Sequence, residues 1–391
     1  MSSISVNNKV NILFYLYFIS TLLFPTFFLN KLIFVLIIGL VIVNFRLYRF
    51  NTISPFVVFF IFLYGFIFSF FNYTEASYST QLILSILVLF LIYPIIRYKI
   101  DVERVAKVSG LIAVAYTGLS FLIVVVFMDL PFSAAYYDFF SNYSAGSNGL
   151  REFADEGTLS FHIGCVPFLY LPFVLYFISF VEKRKLSSFL ASLVIFITIF
   201  VSASRGSILT SIIAAMYIVL SKSRLKTKII VLTILIILGI GIFSYLLNNT
   251  NALDPKEESN GIKIGHYESF IENLNFFKFF LGEGLASYYY SKGSQRIISK
   301  TEITPIDMLR YFGFILAPLL YFVIIFPTKK IASYLGNNSL YMVLTLIYVL
   351  NSMTNPTMFN SYGLLIILWY WFKILPPTKS IPKYDSEIQT V

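Results

Sequence analysis

LSSFLASLVIFITIFVSASRGSILTSIIAAMYIVLSK, residues 186–222, sets two apolar runs, 187–201 and 206–220, on either side of Ser202-Ala203-Ser204-Arg205-Gly206. Branched aliphatic and aromatic residues occupy every face of both runs, the pattern of helices surrounded by apolar material rather than of half-buried strands. An arginine between two such helices needs a reason, because a cation entering a bilayer is costly and marks a site by default.

Working outward, the rest of the chain has the same character. Its 391 residues are 58% hydrophobic and 12% charged, with a mean hydropathy of +0.81, which excludes a soluble domain. A hydrocarbon core about 30 Å thick takes roughly 20 apolar residues per helix. Runs near that length, some shorter, lie at 10–28, 31–45, 55–71, 81–96, 108–128, 161–180, 187–201, 206–220, 229–247, 306–326, 338–354 and 360–375. Continuous rather than alternating apolarity excludes an outer-membrane barrel. The expectation is an all-α polytopic membrane protein of about 12 transmembrane helices. No fixed-period repeat and no Gly/Ser- or Pro-rich linker divides residues 1–391, so they read as one integral membrane domain. The first run has one basic residue before it and no small-residue cleavage site after it, which reads as an anchor rather than a removable signal.

Charge orients the bundle, because short cytoplasmic loops retain Lys and Arg. With both termini inside, 19 of the 29 basic residues but only 5 of the 19 acids fall in cytoplasmic segments. The net charge of +10 therefore reports topology and contact with an anionic leaflet; a clustered basic face for nucleic acid is not expected. The single Cys165 lies in an apolar stretch and reads as buried filler. Two long loops fall outside, 129–160 and, between helices 9 and 10, 248–305. In the longer one Phe270, Leu274, Phe277 and Leu281 recur at helical spacing, which suits an amphipathic helix at the membrane interface or one packed on the bundle. Tyr288, Tyr289 and Tyr290 follow, either as sugar-stacking rings or as an interfacial aromatic belt.

Three outer clusters carry chemistry. Arg205 opens helix 8, where backbone amides and a positive dipole end accompany its guanidinium, and Ser202, Ser204 and Ser207 offer hydroxyl donors. That outlines a site for a lipid pyrophosphate; the alternative is an arginine snorkelling to headgroups. Arg151 is set among Glu152, Asp155 and Glu156, with His162 beyond, and reads as a substrate ligand or a local salt bridge. Glu302, Asp307 and Arg310 stand at the mouth of helix 10, where Asp307 and Arg310 share a face and form either a structural pair or part of a site.

The Ser-Arg-Gly turn at 204–206, the long outer loop, and Gly282-Glu283-Gly284 followed by Asp307 through Gly313 resemble the O-antigen polymerase and ligase superfamily. The resemblance covers nearly the whole helix plan. It implies a glycosyltransferase of the bacterial plasma membrane, acting on polyprenyl-pyrophosphate-linked glycan donors and acceptors at the outer face without a metal or other cofactor. A flippase and a chain-length regulator are the implied partners. Ligases of the superfamily place a histidine shortly before the helix that follows the long loop, where this chain has Glu302 and Asp307; that tilts the reading to a polymerase. His266 stands near the place where the family carries an arginine before its Gly-x-Gly. In such a reaction Arg205 and Arg151 steady the leaving pyrophosphate, and Asp307, Glu302 or His266 takes the acceptor's proton. Ser202, Ser204 and Arg310 complete the expected substrate contacts. A ligase, a lipid-linked sugar transporter and a non-catalytic scaffold are the competing readings.

Overall fold

A computed structural model describes residues 3–43, 52–127, 129–145, 150–152, 159–161, 163–202, 204–222, 225, 228–230, 233–234, 236–237, 239–241, 244, 258–328, 331–353 and 356–375. The chain is mostly helical. In order come α1 (Ser3–Leu23), α2 (Phe28–Val43), α3 (Ser54–Ser69), α4 (Ala76–Ile86), α5 (Ile92–Arg97), α6 (Val102–Phe121), α7 (Ser133–Phe140), α8 (Val166–Lys183), α9 (Leu186–Val201) and α10 (Arg205–Lys222). Then follow α11 (Glu258–Glu272), α12 (Phe276–Leu281), α13 (Thr304–Ile325), α14 (Ile331–Asn351) and α15 (Ser361–Ile374). A single 3₁₀ turn, Leu87–Leu91, joins α4 to α5, so that 76–97 form one continuous rod.

Among the described residues, five stretches are long and apolar enough to cross a membrane: Ala76–Arg97, Val102–Val126, Val166–Lys183, Arg205–Lys222 and Thr304–Ile325. Shorter apolar helices occupy Lys9–Leu23, Phe28–Val43, Ser54–Ser69, Leu186–Val201, Ser339–Asn351 and Ser361–Ile374. The run at 229–247 lies partly outside the described residues, and those described within it are helical.

At the centre stands α15, in which every residue from Gly363 to Trp371 is buried, beside the first half of α8. A helix apolar on all sides is stable only when enclosed like this. Its polar N-cap is supplied by Asn360, whose side chain accepts from the Gly363 amide at 2.8 Å. Where helices press closest, small residues admit the neighbour: a β-carbon on Gly110 of α6 would meet Cγ of Pro172 in α8 at 2.5 Å.

Helix ends sort to two faces, and the hydrogen bonds between them stay within a face. On one, Thr52 and Ser54 donate to the Pro327 carbonyl at 2.6 and 2.9 Å, Glu103 pairs with Lys373 at 3.0 Å, and Glu182 pairs with Lys222 at 3.1 Å. On the other lie the turns after α1, α3, α9 and α14, the starts of α10 and α13, and the described parts of both long loops.

The long loop folds back over the helices as a small roof. The ribbon β3 (Tyr289–Ser291) and β4 (Arg296–Ile298) is antiparallel, with Tyr290 opposite Ile297. A second ribbon, β1 (Leu150–Glu152) and β2 (Leu159–Phe161), sets Arg151 opposite Ser160. α11 lies on the first ribbon at a glycine contact, where a β-carbon on Gly265 would meet the Gly293 nitrogen at 2.2 Å.

Candidate functional site

α13 is broken. Gly313, at φ 72° and ψ 179°, interrupts it, and the break leaves the Arg310 and Tyr311 carbonyls without their usual helical donors. The Glu283 amide donates to Arg310 O at 2.7 Å and the Gly284 amide to Tyr311 O at 3.1 Å, while Leu285 N donates to Gly65 O of α3 at 2.9 Å. The Gly282-Glu283-Gly284 segment is thereby zipped onto the broken helix. Glycine is required on both sides of the seam: a β-carbon on Gly282 would stand 2.5 Å from Tyr311 O, and one on Gly313 would stand 2.3 Å from Phe280 O. Replacing Gly313 by alanine is expected to cost about 1–3 kcal/mol for the backbone conformation alone, with the clash added. A lowered thermal midpoint in detergent checks this, and an unchanged midpoint would show that the seam relaxes freely.

The break fixes the half-helix 304–312, which carries Asp307 and Arg310. Both side chains are 4% exposed, and Arg310 Nη1 donates to Asp307 Oδ1 at 3.1 Å. Arg310 Nη2 donates to the Ser287 carbonyl and, at 3.3 Å, to Ser287 Oγ. Its guanidinium lies 3.7 Å from the centre of the Tyr289 ring, a cation–π contact. Asp307 is held from the other side, both oxygens accepting from the Thr301 amide at 3.0 and 2.9 Å. Tyr311 donates to Ser299 O at 2.6 Å, and Ser299 Oγ donates to Glu75 at the start of α4. The pair at the mouth of α13 therefore pins the roof to the bundle.

That geometry sets Asp307 apart from the other candidate proton acceptors. Its oxygens are engaged and enclosed, whereas Glu302 is exposed, with the Lys263 ammonium 3.9 Å away. His266 is buried in α11, its Nδ1 2.7 Å from Ser291 Oγ and 3.4 Å from the Tyr289 hydroxyl. Burial, and secondarily the Arg310 charge, holds its pKa below the ordinary histidine value, so the imidazole is neutral at neutral pH. Burial likewise pushes the Tyr289 hydroxyl up to about 12, which keeps it a hydrogen-bond donor.

The serines around Arg205 also differ from the expected donor set. Ser202 is buried and spends its hydroxyl on Ile199 O at 2.6 Å, so it has no second proton for an anion. Ser204 Oγ donates to Ser207 Oγ at 2.9 Å. Arg205 itself is half-buried as the first residue of α10. The side chain of Arg151, together with 153–158 and His162, lies outside the described residues.

No family model and no curated protein matches this chain.

The end of α14 links the two cationic clusters. Asn351 Nδ2 donates to Ser207 Oγ in the first turn of α10 at 3.3 Å, and the neighbouring Ser352 carbonyl accepts from Thr304 N at 3.2 Å, at the start of α13. Arg205 and the Asp307–Arg310 pair, a hundred residues apart in sequence, thus stand on one face around a common support. Asn351 and Ser352 were not singled out in the sequence; the only sign was the polar stretch 351–356, Asn-Ser-Met-Thr-Asn-Pro, ending an apolar run.

Proposed function

We propose that this chain is a multipass glycosyltransferase of the bacterial plasma membrane, with about twelve spans and both termini cytoplasmic. It joins polyprenyl-pyrophosphate-linked oligosaccharide repeat units into surface polysaccharide at the outer face. The observation that carries the reading is the bridge through Asn351 and Ser352, which gathers the α10 start with Arg205 and the α13 start on the same face. The resemblance of its motifs and helix plan to the O-antigen polymerase and ligase superfamily supplies the reaction class.

In this mechanism an acceptor hydroxyl attacks the anomeric carbon of the donor glycan. The new carbon–oxygen bond forms as the bond to the pyrophosphate oxygen breaks, and the lipid pyrophosphate departs with the electron pair. The Arg205 fork and the amides opening α10 take up the negative charge that develops there. The acceptor's proton passes to a carboxylate, for which exposed Glu302 is better placed than enclosed Asp307.

The break in α13 favours a second reading, a transporter of lipid-linked sugars, because discontinuous helices form the binding sites of many transporters. Such sites use the carbonyls left open at the break. Here Glu283 and Gly284 amides occupy the Arg310 and Tyr311 carbonyls, which makes the break a structural seam and ranks transport second.

Gel analysis of surface polysaccharide and of lipid-linked intermediates in a deletion strain tests the proposal. Loss of the long-chain ladder, with single repeat units still attached to the surface, is expected. Long polymer left on its lipid carrier would identify a ligase, lipid-linked single units trapped on the inner leaflet would identify a transporter, and an unchanged ladder would sink all three.

A further inference from the structure

We infer that residues 276–285 form a re-entrant segment immersed in the hydrocarbon of the bilayer, a surface whose partner is lipid acyl chains rather than water or the headgroup layer.

Depth follows from two separate reckonings. α3 begins at Ser54 and α13 ends at Ile325, and they are level on the face that holds the Glu103–Lys373 pair, because Thr52 and Ser54 both donate to Pro327 O. From Ser54 to Gly65 the rise is about 17 Å, and from Gly313 to Ile325 it is about 18 Å, at 1.5 Å per residue. The segment meets both helices at those heights: Leu285 N donates to Gly65 O at 2.9 Å, Tyr64 donates to Leu281 O at 3.0 Å, and Gly313 abuts Phe280 and Gly282. Against a hydrocarbon thickness of about 30 Å, the chain at 281–285 lies roughly 12 Å inside the far boundary.

Side chains and backbone both suit that depth. Phe276 and Phe277 are each 73% exposed, and Phe279 stacks on Phe314, a ring on the outward side of α13, at 4.9 Å. The exposed rings thus continue the apolar belt formed by Phe314, Ile315 and Phe322. Non-helical backbone survives at membrane depth only when its polar groups are paired. Here Gly282 N bonds to Lys278 O at 3.0 Å, and the next three amides are taken by Arg310, Tyr311 and Gly65 carbonyls. The charges of Lys278 and Glu283 cancel in a 2.6 Å ion pair, as charged groups inside a membrane require.

The test is site-directed spin labelling of the full chain in a Cys165→Ala background, reconstituted in phosphatidylethanolamine/phosphatidylglycerol vesicles. A nitroxide is placed at Phe277→Cys, with Phe322→Cys as the bilayer reference and Lys292→Cys as the water reference. Molecular oxygen concentrates in hydrocarbon and a nickel chelate in water, so the ratio of their collision rates reports depth. The expected result is a ratio at Phe277 that favours oxygen, as at Phe322, and is reversed at Lys292. A ratio matching Lys292, or one balanced between the two references as for a headgroup-level helix, would overturn the inference. Phe276→Cys provides the same reading should Phe277→Cys not assemble.

Discussion

Replacing Arg205 by alanine is expected to abolish the long-chain polysaccharide ladder while leaving the protein at normal membrane abundance. The position explains why folding tolerates the change. Arg205 is half-buried at the first residue of α10, and the helix start keeps its connections through Ser204, Ser207 and Asn351. It also explains why activity does not tolerate it. A cation at a helix N-terminus works against the helix dipole by about 0.3–1 kcal/mol, and an anion held there reverses the sign. Loss of one preorganised donor to a leaving group typically slows a reaction by about 10²–10³-fold, enough to empty a ladder whose every rung is one turnover. Arg205→Lys separates charge from geometry: it keeps the cation but loses the planar fork, so shortened chains in reduced amount are expected. A full ladder from Arg205→Ala would reduce this arginine to an interfacial anchor and remove the proposed site.

The apolar helices were legible in the sequence because each is a local property, a run of apolar residues. The run read at 206–220 is α10 at 205–222, and that at 187–201 is α9 at 186–201. The roof was not legible in the same way. Phe270, Leu274, Phe277 and Leu281 keep helical spacing, yet the helix stops at Glu272, and Asn275 restarts it by accepting from the Lys278 amide at 2.9 Å. Asparagine on a polar face and asparagine as a cap look alike until the chain turns. Gly313 posed a harder case. Its apolar surroundings, 306–326, read as an unbroken helix, and the break exists because a loop segment thirty residues upstream supplies the amides that compensate it. Seams of that kind are non-local. The same holds for the candidate site: Arg205, Asp307 and Arg310 stood out as charges in apolar company, whereas Asn351, Ser287, Tyr289 and Thr301 acquire their roles only from partners the fold brings to them.

Asp307→Ala is expected to remove the protein from the membrane rather than merely its activity. The substitution leaves Arg310, with a side chain 4% exposed, as an uncompensated charge, and breaking a buried pair from one side costs about 3–5 kcal/mol. It also leaves the Thr301 amide without an acceptor, a further loss of about 1–3 kcal/mol. Total stabilities of about 5–15 kcal/mol leave little after such a change, so low abundance and a collapsed thermal midpoint should accompany any missing ladder. Loss of polymer in this variant therefore says nothing by itself about proton transfer. The informative comparison is the double replacement Asp307→Leu with Arg310→Met, because exchanging a whole buried pair for apolar side chains of similar volume is often neutral or stabilising, which leaves only the smaller loss at the Thr301 amide. Recovered abundance together with a recovered ladder would assign the pair to pinning the roof through Ser287 and Thr301. Recovered abundance without a ladder would place Arg310 in contact with substrate. Of these the first is expected, since Arg310 already directs both of its Nη atoms to Asp307 and Ser287 and its face to Tyr289.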